Sequence, residues 1–220
     1  MRAKIEWSLE DWFDIDKKFE IREKPSKLFE VGFSDINIKI IPNDSNVNPI
    51  YTKWQRMLER SFCPKYKAKF PTYEAVSVCE RWLKFSNFRE DYLAMIGNLK
   101  QRRNFILDKD LLIKGNKIYS PNICCLIPAN INSFLTKANV RRGCLPVGVT
   151  KRHNGNKFMV TLSYKGVNRN LGDYGTSEEA FLVYKKHKED LAKLLAVENR
   201  HLLLEKEYNA LYNYEVDFYD

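Results

Sequence analysis

Between Gly148 and Glu179 the chain is punctuated at short intervals, and this stretch limits the fold more than any other. Gly148-Val149-Thr150-Lys151-Arg152 reads as a strand. The tetrapeptide His153-Asn154-Gly155-Asn156 that follows contains Asn-Gly, a pair that tolerates the positive φ of a tight hairpin. Lys157-Phe158-Met159-Val160-Thr161-Leu162-Ser163-Tyr164 then alternates with the period of a strand buried on one face. Lys165-Gly166 turns the chain into Val167-Asn168-Arg169-Asn170-Leu171-Gly172. In Thr176-Ser177-Glu178-Glu179 a hydroxyl stands at a helix N-cap with a carboxylate three residues later, a capping box. The helix is expected to run to about residue 196, with Ala180, Val183, Tyr184, His187, Leu191, Leu194 and Leu195 toward the sheet. The expectation is a three-stranded antiparallel sheet with one helix packed on it.

Such a sheet has one open face. Depending on register, that face carries Lys151, Arg152, Lys157, Asn168, Arg169 and Asn170. A curved three-stranded sheet fits the major groove of duplex DNA, where Arg matches guanine O6 and N7 and Asn matches adenine. Other Lys and Arg meet phosphates and set register without reading sequence. The preceding linker adds Arg141 and Arg142. Charge placement agrees. The 37 Lys and Arg outnumber 28 Asp and Glu, and the excess is central: residues 51–140 carry 16 basic and 7 acidic side chains, and residues 141–200 carry 12 and 6. Residues 1–50 and 201–220 are mildly acidic. A basic block of this size favours a polyanionic partner, against the blander reading of solvated lysines.

This segment resembles the apetala-type DNA-binding domain of plant ethylene-response factors, a module that also occurs in phage homing endonucleases. The resemblance lies in Gly148-Val149-Thr150-Lys151-Arg152, Lys157-Phe158-Met159-Val160, Leu171-Gly172-Asp173-Tyr174 and Thr176-Ser177-Glu178-Glu179-Ala180. The family usually has Trp where this chain has Phe158, and more Arg in the first strand. The resemblance implies duplex DNA as partner.

Upstream, the pattern is strand, loop, strand, helix. Phe105-Ile106-Leu107-Asp108-Lys109-Asp110 reads as a strand, Ile113-Lys114-Gly115-Asn116-Lys117 as a turn, and Asn122-Ile123-Cys124-Cys125-Leu126-Ile127 as a second strand. Pro128 opens a helix through Leu135, at a first-turn position that tolerates proline. That order is the order of a ββα-metal nuclease site. Such a site needs one metal ligand on the first strand, another on the helix, and a base beside the first ligand to activate water. Asp108 and Asn132 stand at the ligand positions, and Asn122 is placed to orient the base.

Residues 50–136 resemble the HNH endonucleases of phages, in particular those fused to an apetala-type domain. The resembling residues are Tyr51-Thr52-Lys53-Trp54, Val78-Cys79-Glu80-Arg81-Trp82, Leu107-Asp108-Lys109-Asp110, Lys114-Gly115-Asn116-Lys117-Ile118-Tyr119-Ser120-Pro121 and Ile131-Asn132. The resemblance implies one divalent metal, Mg²⁺ or Mn²⁺. Active members carry a histidine after the strand aspartate, and this chain has Lys109 there; no histidine precedes His153. A lysine with a pKa of about 10.4 is a poor base near neutrality, and flanking carboxylates favour its charged form. Either Asp110 takes the base role, or the site is slow or dead. Two readings follow: a slow metal-dependent nicking or cleaving enzyme, or an inactive nuclease-derived DNA-binding regulator or phage-encoded inhibitor of a host nucleic-acid machine.

The rest of the chain bounds these readings. Trp7, Leu9, Trp12, Phe13, Ile15 and Phe19 suggest an amphipathic helix or ordered arm over residues 1–24, residues 28–42 read as strand material, and the stretch from Pro42 to Pro49 as a loop. From Ile50, Tyr51, Trp54, Met57, Leu58 and Phe62 form one apolar helix face, with Lys53, Arg56 and Arg60 off it. A basic connector follows between Pro64 and Pro71. A second helix is expected near residues 77–96, with Val78, Trp82, Phe85, Phe88 and Tyr92 as core. Cys63, Cys79, Cys124, Cys125 and Cys144 are odd in number and lack a C-x-x-C pair, which speaks against zinc or a disulfide framework and for reduced thiols. The first residues lack an apolar leader and no long apolar run occurs, so no membrane partner and a cytoplasmic setting, in the host cell for a phage protein, are expected. The fold class expected is α+β, with an arm over residues 1–49, the HNH-like module over 50–140, the apetala-type domain over 141–200 and an acidic, aromatic tail over 201–220 that offers a protein contact or packs back on a basic surface.

Overall fold

The computed structural model describes residues 21–36, 49–136, 145–153 and 155–218. The fold is mixed α+β and divides into two compact units, Met1–Leu126 and Ile127–Asp220. Residues 1–20 of the expected arm, residues 37–41 of the expected strand material, most of the loop before Pro49, and Arg141, Arg142, Cys144 and Asn154 lie outside the described residues. No described helix is long and apolar enough to cross a membrane.

The first unit begins with an antiparallel hairpin, β1 (Ile21–Leu28) and β2 (Gly32–Ile36). Residues 21–24, expected to end an amphipathic arm, are therefore strand. Helix α1 (Pro49–Phe62) buries Ile50, Tyr51, Trp54, Met57 and Leu58, the face that its i, i+3, i+4 spacing marks. Gly32 has to be glycine because a Cβ would lie 2.3 Å from Leu58 and 3.3 Å from Trp54. The basic connector is itself a short helix, α2 (Pro64–Lys69), with Pro64 in its first turn.

The single helix expected over residues 77–96 is three pieces. Ser77–Val78 forms β3, Glu80–Leu83 a 3₁₀ turn, and Phe85–Ile96 the helix α3. The break has a cause: Ser77 and Val78 pair in parallel with β5 (Ile118–Tyr119), which commits them to an extended backbone. Four of the five expected core residues are in place, and Val78 is half-buried in β3. Trp82, Phe85, Phe88 and Tyr92 are fully buried, and Tyr51, Trp54 and Phe85 pack ring against ring at 5.1–5.6 Å between centroids. Both buried indoles are satisfied, Trp54 Nε1 donating to the Trp82 carbonyl at 2.7 Å and Trp82 Nε1 to Asp91 at 2.8 Å. Strand β4 (Ile106–Asp108) pairs with β6 (Cys125–Ile127).

The second unit contains α4 (Ala129–Leu135), the sheet β7 (Val149–Lys151), β8 (Phe158–Tyr164) and β9 (Val167–Tyr174), then α5 (Ser177–Glu198) and α6 (Glu205–Tyr212). The sheet is antiparallel in the order β7-β8-β9. Thr176 caps α5 by accepting from the Glu179 amide at 3.2 Å, while the Glu179 carboxylate accepts from Gly175 rather than from the cap residue. Val149, Val160 and Leu162 pack on Ala180, Phe181 and Tyr184. His187 and Leu194, expected against the sheet, are exposed; Phe181, Lys188 and Ala192 are buried instead. Phe181 joins the sheet–helix core, and Lys188 meets α4, its Nζ donating to the Phe134 carbonyl at 2.6 Å and lying 3.7 Å from the centre of its ring. The tail returns to its own unit. Val216 is buried in the sheet–helix core, its backbone bonds Glu189 and Lys185, and Phe218 meets Phe181 at 4.9 Å.

Candidate functional site

Opposed residues of an antiparallel pair share a face, so the register sorts the sheet's side chains. Val149 opposes Val160, and Lys151 opposes Phe158, which opposes Tyr174. Thr150 opposes Met159, which opposes Asp173. The first set lies on the side covered by α5, the second on the open side. Farther along β8, a register shift between Val160 and Thr161 leaves Leu171 as an extra residue in β9, a β-bulge. Beyond it Thr161 opposes Asn170, Leu162 opposes Arg169, and Ser163 opposes Asn168. The open face therefore carries Thr150, Met159, Thr161, Ser163, Asn168, Asn170 and Asp173. Lys151 and Arg169, both exposed, stand on the helix side of the pleat.

Arg152 and Lys157 continue the open-face alternation at one rim, joined by the bond from the Arg152 amide to the Lys157 carbonyl at 3.0 Å. Asp173, on the same face, takes Arg152 bidentately, Nε to Oδ1 at 3.0 Å and Nη2 to Oδ2 at 3.2 Å. Two of the five guanidinium donors are used, and three remain. Ser163 donates to the Asn168 side-chain oxygen, which orients that amide. The Asn170 oxygen accepts from the Gly172 amide at 2.9 Å, so its NH₂ is turned away from the bulge. Phe158 is half-buried against the core and serves the fold. The open face thus carries hydroxyls and fixed amides, with the Arg152 guanidinium paired to Asp173 and the Lys157 ammonium at the rim.

No protein-family model, curated protein or solved structure matches this chain.

In the first unit the residues after β4 form a closed loop. Asp108 Oδ1 accepts from the amides of Asp110 at 2.9 Å and Leu111 at 2.7 Å, a turn in which the carboxylate replaces a backbone acceptor. Burial raises the Asp108 pKa and wins over these two bonds, which lower it. Lys109 is buried, and its ammonium donates to both Asp110 oxygens at 2.7 Å and to the Asn116 carbonyl at 3.1 Å. The Asn116 side chain closes the loop, donating to the Lys109 and Ile118 carbonyls at 2.8 Å and accepting from the Ile118 amide at 3.0 Å. Gly115 precedes it with φ of 76°, a conformation that favours glycine. Burial pushes the nearby Cys124 thiol up to about 12, so it is protonated at neutral pH and inert as nucleophile or ligand.

Of the residues expected to form a nuclease site, Asp108, Lys109 and Asp110 are brought together here. Asn122 is exposed in the turn before β6, and Asn132 is half-buried in α4 of the second unit. The donors of the loop do not fit a resident divalent ion. Such an ion takes about six oxygen ligands; one Asp108 oxygen already accepts two amides, and both Asp110 oxygens hold an ammonium. The Asn116 clip was not anticipated from the sequence; Gly115-Asn116 between two charged stretches was its signal.

Proposed function

We propose that the protein binds duplex DNA through the open face of the β7-β8-β9 sheet and does not cleave it efficiently. The observation that carries the binding reading is the face itself. Five neighbouring positions bear hydroxyl or amide groups that match base edges or phosphates: Thr150, Thr161, Ser163, Asn168 and Asn170. Arg152 and Lys157 at the rim supply the positive charge that phosphate contact needs.

A specific observation favours binding over catalysis. Lys109 occupies the position where the resembling nucleases carry their base, and its ammonium holds both oxygens of Asp110, the one carboxylate that could replace it. Neither group is free to take a proton from water. Fluorescence anisotropy with labelled duplex, run beside a plasmid-nicking assay in Mg²⁺ and in Mn²⁺, tests both parts. The expected result is saturable duplex binding, weakened by Arg152→Ala and by Lys157→Ala, with no nicking. Failure to bind duplex overturns the first part; prompt nicking by the native chain overturns the second.

A further inference from the structure

Helix α1 carries three cations close together along one side. Lys53, Arg56 and Arg60 follow i, i+3, i+7 spacing, which places them within about 60° of arc along about 10 Å of axis. They flank the buried stripe. Two of them are held in place. Lys53 Nζ donates to the Phe105 carbonyl at 2.6 Å and lies 5.9 Å from the centre of the Tyr92 ring. Arg60 stands 5.8 Å from the centre of the Tyr73 ring, with the Tyr119 and Tyr66 hydroxyls beside it. Arg56, between them, is exposed.

Every one of these anchors is neutral: a carbonyl, phenols and ring faces. Burial raises the Tyr119 and Tyr73 hydroxyls above their ordinary range, so both stay protonated at neutral pH. Among the described residues no carboxylate is ion-paired with any of the three cations. Asp108 and Asp110 act on Tyr73; burial raises the Asp108 pKa, and Lys109 holds Asp110. Burial, and then the charges of Arg56 and Arg60, depress the Lys53 pKa. A protein that fixes cations with neutral groups keeps their charge for an external anion, and a planar fork such as Arg matches phosphate geometry.

We propose that Lys53, Arg56 and Arg60 form a phosphate-binding ridge on the first unit, which takes backbone phosphodiesters of duplex DNA. This rests on the DNA-binding reading and adds a second, sequence-independent contact surface to it. Phosphates set about 3.4 Å apart along the axis of a strand allow a ridge of this length to meet two or three.

The test uses the full chain and Arg56→Gln, whose exposed position leaves the core untouched, with Lys186→Gln on the exposed side of α5 as a charge-matched control. Duplex affinity is measured by anisotropy over a salt series, and thermal unfolding verifies the fold. One phosphate contact contributes about 0.9 to the slope of log affinity against log salt. The expected result is a slope shallower by about 1 in Arg56→Gln and unchanged in Lys186→Gln. Equal slopes in all three proteins, with native binding intact, overturn the ridge and leave the DNA reading standing. If the native chain binds no duplex, amide NMR shifts on adding sodium tripolyphosphate decide. Shifts along α1 that vanish in Arg56→Gln keep the ridge as a phosphate site while the DNA reading falls; no shifts overturn both.

Discussion

Replacing Gly148 by Ala should damage the second unit severely. Gly148 has φ of 76°, and its carbonyl accepts from the Thr161 amide at 3.0 Å, which starts the pairing of β7 with β8. A Cβ built there would lie 2.0 Å from Tyr184 Cδ2, 2.2 Å from Cε2 and 2.4 Å from Cγ. Tyr184 is buried among Val149, Val160 and Ala180, so its ring cannot swing clear without displacing the core. The left-handed backbone costs a non-glycine residue roughly 1–2 kcal/mol. Forcing a methyl into a packed core costs about 1–3 kcal/mol more. The sum, about 2–5 kcal/mol, is a large share of the ~5–15 kcal/mol that holds a domain folded. For a unit of this size each kcal/mol moves Tm by about 4–8 °C, so the transition should fall by at least about 8 °C. Circular dichroism during heating reads this directly. Shortening the facing ring in a Gly148→Ala, Tyr184→Leu double variant should recover part of the loss, because residues in contact are not additive. A Gly148→Ala chain that melts within about 2 °C of native, well below the shift that 2 kcal/mol produces, would refute the close approach and the register built on it.

Further predictions concern individual side chains. Asp108→Asn should stabilise the chain at neutral pH: the folded pKa of Asp108 lies above its unfolded value, so its contribution is present in acid and is lost as pH rises through the folded pKa, while an amide oxygen can still accept from Asp110 and Leu111. Urea titrations at pH 4 and pH 7 check the sign; a variant less stable than native at pH 7 contradicts it. Asp173→Asn should tighten duplex binding severalfold at low salt, since it removes an anion from the open face and frees the Arg152 fork, at a stability cost of at most about 1 kcal/mol for an exposed pair. Weaker binding in anisotropy would place Asp173, not Arg152, in contact with the ligand. Lys109→His releases Asp110 and supplies a base with a pKa of about 6.5. Any nicking should rise by roughly 10²–10⁴ over native, and a native chain that nicks as fast as this variant would remove the role given to Lys109.

Much of the second unit was legible because its signals are local. The Lys165-Gly166 turn, the alternation of β8 and the Thr176 cap each act within a few residues and agree with one another. The open face was legible only in part. Lys151, Arg152, Lys157, Asn168, Arg169 and Asn170 are all eligible for it; the pairing with β8 sorts Lys151 from Arg152, and the bulge at Leu171 sorts the β9 residues, since without it Arg169 would stand on the open side and Asn170 on the covered one. Gly172 within a strand pattern was the local mark of that bulge. In the first unit, distance in sequence defeated the reading. Residues 77–83 carry an apolar spacing compatible with a helix, and only the pairing of Ser77–Val78 with residues some forty positions later makes them strand and 3₁₀ turn. Lys109 was recognised as an unsuitable base from its ordinary pKa; that it also occupies Asp110 depends on the Asn116 clip, which bends the loop back on itself.

The open face of the sheet is tested most directly by a charge placed at its centre. Thr161 lies on that face between two buried neighbours, Val160 and Leu162. Thr161→Glu adds one negative charge there, and Lys186→Gln changes the net charge equally on the exposed side of α5. With duplex DNA at moderate salt, Thr161→Glu should weaken binding at least about tenfold, or about 1.4 kcal/mol, while Lys186→Gln stays within about twofold of native. Equal effects of the two substitutions, with both chains folded, would contradict binding through this face.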